Sequence, residues 1–288
     1  VLAVGTNVFS SFLYVPEPFL APNTKLIHLD CNAWEVEKIY PTEVGLLADP
    51  RAGLEELAEA LDQDLSASAR ETAATRNASL AEERRRADAA YQRRLAERWG
   101  HRPMAVERMM HELAQALPAD AIIADEAVTS RAALMRSVNL DVPGSFYGIR
   151  GGALGWAMPG ALGVKLANPN RPVVAVVGDG ASMYTVQALW TAARYNIPVT
   201  YAICNNRSYR ILKVNMDTYL RHMLNDQERE SEYVGMDFAN PLNLAAMAQA
   251  MGVAGEAVED PAQLRPALER AIASGKPSLV DVSIDGAL

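Results

Sequence analysis

Cysteine is scarce: Cys31 and Cys204 are the only two in 288 residues, far apart and without metal-ligand spacing. A chain of this size needs no disulfide to hold a core, so a reducing, cytoplasmic setting is the default expectation. No run of eighteen apolar residues occurs, which argues against a helical membrane span. Positive charge is also in short supply. Lys and Arg number 27 against 35 Asp and Glu, for a net charge of −8 and a pI near 5.1. With no long basic stretch, nucleic acid is a poor main partner. Internal repeats and low-complexity tracts are absent too. The opening Val1-Leu2-Ala3-Val4-Gly5 has no Met, basic n-region or cleavage site and reads as a strand inside a domain, so the chain is expected to be part of something longer. What is plentiful is apolar bulk. Half of the residues are hydrophobic, enough for the core of one large or two ordinary domains.

The pattern divides the chain into three. Residues 1–63 contain a Pro-rich loop (Pro16, Pro18, Pro22), the strand Leu26–Asp30, and a helix from Pro50 to about Leu61 with leucines 54, 57 and 61 on one face. These elements suit the trailing half of an α/β domain. Residues 64–102 are rich in Ala, Arg and Glu, with Glu82-Glu83-Arg84-Arg85-Arg86 as the centre, and read as a solvated helical connector. From 103 to 288, helices and apolar runs alternate. Helix 104–116 precedes strand 121–124, and a helix over 128–138 is followed by a Gly-rich turn at Gly148, Gly151 and Gly152. An Ala/Leu/Gly helix then ends near Ala167. Strand 173–177, helix 183–195 and strand 199–204 come next, before a polar excursion over 213–238. Helices 241–251 and 261–273 and strand 278–282 come last. Alternation with strands that are apolar throughout predicts an α/β fold with a doubly wound parallel sheet.

The most informative stretch is Gly178-Asp179-Gly180-Ala181-Ser182, at the end of the most apolar strand. Ligands of doubly wound sheets sit beyond the carboxyl ends of strands, and glycines there admit a phosphate to the backbone. Asp179 would repel a phosphate unless a hard cation lay between them, and Mg2+ accepts carboxylate, carbonyl and phosphate oxygens together. One βα unit later come Cys204-Asn205-Asn206-Arg207-Ser208-Tyr209. Asn206 is therefore expected beside Asp179, with a loop carbonyl such as that of Ser208 completing the protein's share of an Mg2+ shell.

Gly178-Asp179-Gly180, followed after an interval by Asn205-Asn206, resembles the diphosphate-binding motif of thiamine-diphosphate enzymes. The likeness extends through Val142-Pro143-Gly144-Ser145-Phe146, Gly152–Pro159 and Ala188–Pro198. It is similar in particular to benzoylformate decarboxylase and the acetolactate-synthase-like 2-oxo-acid decarboxylases. The resemblance implies a diphosphate domain of the thiamine-diphosphate-binding fold over 103–288, preceded by half of a Rossmann-like central domain. It implies thiamine diphosphate and Mg2+ as cofactors, with Asp179, Asn206 and the Ser208 carbonyl on the metal. Gly178, Gly180, Ala181, Ser182 and Tyr209 would surround the diphosphate, joined by Thr129 and Ser130. The Gly152 carbonyl would accept from the aminopyrimidine, and Leu154 would lie under the cofactor and force its bent shape. Ile211 and Leu212 would face the substrate pocket, where an apolar residue 212 inclines to an aromatic 2-oxo acid.

The resemblance also implies something missing. The family needs a glutamate on the cofactor's N1′, carried by a pyrimidine-binding domain, and Glu17, Glu35 and Glu126 lie in no matching context. No catalytic residue is therefore assigned. A partner carrying that domain is expected, with a homo-oligomer, dimer or tetramer, as the assembly. The implied activity is a non-oxidative decarboxylation. An acetolactate-synthase-like carboligase is the rival, and a subunit that only binds cofactor until its partner arrives is another. A nicotinamide-dinucleotide Rossmann domain fits less well, because position 183 is Met where G-x-G-x-x-G requires glycine.

Overall fold

A computed structural model of the chain describes residues 1–7, 17–149, 152–228 and 232–288. Pro16 and Gly151, named above in the Pro-rich loop and the Gly-rich turn, lie outside the described residues. The chain forms two units, Val1–Arg86 and Ala87–Leu288.

The first unit is a parallel three-stranded sheet of β1 (Leu2–Val4), β2 (Ile27–Asp30) and β3 (Val44–Leu47), in that order. Helix α1 (Pro50–Asp64) starts cleanly: Asp49 accepts from the amides of Arg51 and Ala52, and Pro50 fills the first helical position, where no amide is needed. Its leucine stripe is nevertheless uncovered, and no residue of α1 is buried. The sequence pattern does not announce strand β3, because all four of its residues are exposed and carry no burial period. Helix α2 (Ala67–Glu97) runs for 31 residues with only Tyr91 and Leu95 buried, which agrees with a solvated helix. Glu82 pairs with Arg85 and Arg86 one turn on, at 2.7 and 3.0 Å. The unit boundary falls inside α2.

The second unit continues with α3 (Val106–Ala116), β4 (Ile122–Glu126), a 3-10 turn over Val128–Ser130 and α4 (Arg131–Ser137). Strand β5 (Phe146–Gly148), α5 (Ala157–Ala167), β6 (Val173–Gly178) and α6 (Asp179–Ser182) follow. Then come α7 (Ala188–Arg194), β7 (Val199–Asn205), α8 (Arg210–Thr218) and a π-helical turn at Tyr219–Met223. Helix α9 (Leu244–Ala250), β8 (Ala254–Val258), α10 (Pro261–Ala273) and β9 (Ser278–Ser283) are the last elements. The six strands form one sheet in the order β5-β4-β6-β7-β9-β8, parallel at every pairing.

Why the sheet is doubly wound is visible in β6 and β7. Side chains alternate between faces along a strand, so a strand covered on both sides must be apolar at every position. Val173, Ala175 and Val177, with Tyr201 and Ile203, pack beneath α5, α7 and α9. Val174 and Val176, with Ala202 and Cys204, pack on the other face against α3, α4 and α10. Each fully buried Val or Ile contributes about 1.5–3 kcal/mol of transfer free energy, so these layers fix the register that brings β4, β6, β7 and β9 to one carboxyl edge. Among the described residues, no helix is long and apolar enough to cross a membrane.

Three local expectations change. The helix expected over 183–195 is shorter: α6 ends before it at Ser182, residues 183–187 form a turn, and α7 starts only at Ala188, whose amide donates to the Thr185 carbonyl at 2.9 Å. The polar excursion from 213 begins inside α8. Its apolar period is hidden by Lys213, which is buried yet paired with Asp237. Strands β5 and β8 have no counterpart in the sequence pattern, being three residues long in one case and buried only at Val258 in the other.

Candidate cofactor site

A cavity of about 290 Å³ opens at the carboxyl ends of β4, β6 and β7. Its floor is the turn after β6. Pairing of Gly178 with Cys204 places the next residue, Asp179, against the exit of β7. Asp179 is 2% exposed. One of its carboxylate oxygens accepts from the Gly180 amide at 2.8 Å and the other from the Arg207 amide at 2.7 Å. The side chain thus ties the two strand exits together. Burial pushes its pKa up to about 6 despite those two N–H bonds, and nearby Asp281 adds to the rise.

The β7 exit is an equally ordered turn. Asn206 Oδ1 accepts from the Ser208 amide at 2.9 Å, an Asx-turn, and Arg207 adopts a left-handed φ of 58° to complete it. The Arg207 guanidinium leaves the cavity to meet Glu259 at 3.3 Å. The turn is held from outside by a short antiparallel bridge. Tyr209 donates its amide to Met236 O at 2.8 Å, and Phe238 donates to Arg207 O at 2.9 Å. The rings of Tyr209 and Phe238 meet edge to face at 4.7 Å. Tyr209 in turn lies so close over Gly180 that a Cβ there would sit 2.9 Å from its ring. A side chain at position 180 would have to push this tyrosine ring aside.

Most of the residues singled out from the sequence meet here. Gly178, Asp179, Gly180 and Ala181 line the cavity from β6, and Asn206, Ser208 and Tyr209 from β7. Thr129 and Leu154 line it from the loops that follow β4 and precede α5, and Ile211 and Leu212 from α8. Ser130 lies apart, in an adjoining cavity of about 140 Å³ that shares Thr129, Asn206 and Arg210 with the first. Ser182 is fully buried beneath the turn, donating its hydroxyl to Asp179 O at 2.7 Å, so its side chain shapes the turn from behind. Gly152 sits in the left-handed region at φ 73° and lines neither cavity. Sequence reasoning missed Val128 and Tyr184, which also line the main cavity. Val128 carries a φ of 46°, a strained conformation for a β-branched residue that no sequence pattern announces.

The donors gathered here are a carboxylate, an amide oxygen and loop carbonyl and hydroxyl oxygens. Such a set suits a hard cation, and a cation would compensate the buried Asp179 charge. Room for an anionic group remains over Gly178, where an added Cβ would meet only Ala181 Cβ at 3.9 Å.

Comparison with known proteins gives the family. Residues 126–282, more than half of the chain, match the family described as thiamine pyrophosphate enzyme, C-terminal TPP binding domain. A benzoylformate decarboxylase of Pseudomonas aeruginosa is 28% identical over 283 residues, which cover 98% of this chain and 48% of that protein. The acetolactate synthase isozyme 2 large subunit of Escherichia coli is 27% identical over 269 residues, 92% of this chain and 44% of that one. The solved structure of a thiamine diphosphate-dependent 4-hydroxybenzoylformate decarboxylase from Rhodococcus jostii RHA1 superposes with a TM-score of 0.76 at 26% identity, covering 99% of this chain and 48% of that one. The chain therefore spans about half the length of these relatives. Since the matched region runs from the end of β4 to the end of β9 and takes in both turns that close the cavity, the chain belongs to the thiamine pyrophosphate enzymes and carries their C-terminal cofactor-binding domain.

Proposed function

We propose that this chain supplies the diphosphate- and Mg2+-binding half of the active site of a non-oxidative decarboxylase that acts on a benzoylformate-like 2-oxo acid. The observation that carries the proposal is the buried Asp179 carboxylate, which bridges the β6 and β7 exits on a cavity it shares with Asn206 and Leu154.

In this reading Asp179, Asn206 and the Ser208 carbonyl hold Mg2+. Gly178, Gly180 and Ala181 receive the diphosphate, Ser182 stiffens their turn, and Tyr209, Thr129 and Ser130 flank it. The Gly152 carbonyl takes the aminopyrimidine and Leu154 supports the bend. Thiamine diphosphate, when bound, supplies the electron sink that a 2-oxo acid needs in order to lose CO2. The chain's own part is to orient that cofactor and to keep water from it. Ile211 and Leu212 give the mouth an apolar wall suited to an aromatic substrate.

The N1′ carboxylate is assigned to a pyrimidine-binding domain outside this chain. Glu126, the glutamate nearest in sequence to the cavity-lining residues, is buried and already accepts from the Gly155 and Ala157 amides. The likeness to acetolactate synthase supports a carboligase as the second reading.

Two measurements test the proposal. Calorimetry should show Mg2+-dependent thiamine diphosphate binding that Asp179→Ala abolishes while the circular dichroism of the fold is kept. Unchanged, metal-independent affinity in the variant would reject the metal assignment. Residues 1–288 alone should release no CO2 from phenylglyoxylate, and activity should return on adding a polypeptide with the pyrimidine domain, because general acid–base assistance is worth roughly 10²–10⁴-fold. Turnover of about 1 to 10³ per second by the mass-verified chain alone would overturn the partner requirement. The product then separates the two readings: an aldehyde for the decarboxylase, a 2-hydroxy ketone for the carboligase.

A further inference from the structure

Leu154 is 40% exposed on the cavity wall, so its own packing does little to fix its position. Yet a side chain meant to shape a bound molecule has to be held firmly. The backbone immediately after it shows how. Gly155 is gripped at both its amide and its carbonyl: the amide donates to one carboxylate oxygen of Glu126, and the carbonyl accepts from Thr185 Oγ1 at 2.6 Å. The other Glu126 oxygen accepts from the Ala157 amide at 2.8 Å. Gly155 has φ 94°, and a Cβ there would stand 2.7 Å from Tyr184 Cβ, so a side chain is excluded and the turn at Tyr184–Thr185 packs directly against it.

Glu126 is the last residue of β4 and is 1% exposed. An ionised carboxylate is an acceptor with room for several donors, and the first amides of α5 are donors without partners inside the helix. The match is specific to a carboxylate. A glutamine would present its amide N–H₂ to those same donors and leave at least one of them buried and unpaired. Burial raises the Glu126 pKa above the usual carboxylate range, while the amides of Ala157, Gly155 and Trp156 pull it back.

We propose that Glu126 is a positioning residue: by gripping the backbone of Gly155–Ala157, with Thr185 as the counter-anchor, it sets Leu154 against the cofactor cavity. The tie runs from the end of β4, two residues before Val128, across to the loop that carries Leu154, and so couples two walls of the cavity. Its importance for turnover rests on the reading that puts Leu154 beneath the cofactor; its importance for the loop does not.

Amide hydrogen exchange on residues 1–288 addresses the loop without any cofactor. Exchange at Gly155, Trp156 and Ala157 should rise at least tenfold in Glu126→Gln while amides of β6 and β7 keep their protection. Thr185→Val should raise it at Gly155 by loosening the opposite side, and it serves as the second variant if the first folds poorly. In the assembly with the pyrimidine domain, Glu126→Gln should lower kcat at least tenfold and leave the affinity for thiamine diphosphate within about threefold. The double variant with Leu154→Ala should then be no slower than Leu154→Ala alone. Unchanged exchange at 155–157 in both single variants overturns the proposal. Raised exchange with fully additive losses in the double variant overturns the claim that Glu126 acts through Leu154. Raised exchange together with normal turnover in Leu154→Ala upholds the anchor and rejects instead the placement of Leu154 under the cofactor.

Discussion

A left-handed backbone at a β-branched residue is costly, and Val128, an exposed residue, bears one at the lip of the cavity. The residues before it explain how it is held. Asp125 accepts from the Ala127 amide at 3.0 Å and meets Arg131 at 3.3 Å, while Glu126 is tied to α5. The chain between these anchors must turn within two residues, and the 3-10 turn that follows begins at Val128. Relieving the strain should stabilise the protein. Val128→Gly is expected to raise the unfolding free energy by about 1 kcal/mol, the balance of a left-handed penalty of about 1–2 kcal/mol and the added freedom of glycine in the unfolded chain. Urea denaturation measures it directly, and a lower midpoint at unchanged slope would show that the conformation is not strained.

At the scale of elements, the segment 236–238 braces the turn that carries Asn206 and Ser208, and Lys213 of α8 secures it by pairing with Asp237. The partners are unequal: the Lys213 side chain is 10% exposed, whereas that of Asp237 is 66% exposed. Removing Asp237 strands a buried ammonium; removing Lys213 leaves a carboxylate that water can solvate. Asp237→Ala should therefore destabilise the chain by about 2–3 kcal/mol, and Lys213→Met by about 1 kcal/mol or less, as read from denaturant midpoints. Equal losses would mean the pair is solvated. This brace also marks the limit of what the sequence reveals. The turns at Asp179 and Asn206 are legible because glycine, aspartate and asparagine have local reasons to sit at strand ends, and β6 and β7 are legible because burial on both faces demands an unbroken apolar run. Lys213 looks solvated until its distant partner is known. The exposed strand β3 and the three-residue β5 have no period to read, and Glu126 resembles any carboxylate until the loop at 155–157 folds onto it.

For the whole molecule, four buried carboxyls lie near the carboxyl edge of the sheet, Asp125, Glu126, Asp179 and Asp281, and burial is the leading cause that raises each pKa. A raised pKa means that the folded chain holds a proton where the unfolded chain has released it. Stability must then fall as pH rises from the ordinary carboxylate range near 4 toward about 6, the value reached by Asp179. The metal-free chain should show a lower urea midpoint at pH 6.5 than at pH 5. Each tenfold by which folding tightens a carboxyl's hold on its proton sets an upper figure of about 1.4 kcal/mol for that loss. A midpoint that climbs over that interval would contradict the burial of these groups.

The all-parallel sheet has a consequence in time as well as in space. Its central strand β7 pairs with β9, and the hydroxyls of Thr200 and Ser278 that face each other across this pairing stand 78 residues apart in the chain. No hairpin within this sheet can form first and template the rest, since every neighbour is reached by a crossover, and closing such loops slows folding. During synthesis β6 and β7 leave the ribosome with the backbone N–H and C=O groups on one edge of β7 unpaired until β9 has followed them out. Asn205, which pairs with Ser283 at the far end of β9, therefore gains its neighbour only once the last strand has docked, and the Arg207 amide that Asp179 accepts from belongs to the turn directly after it.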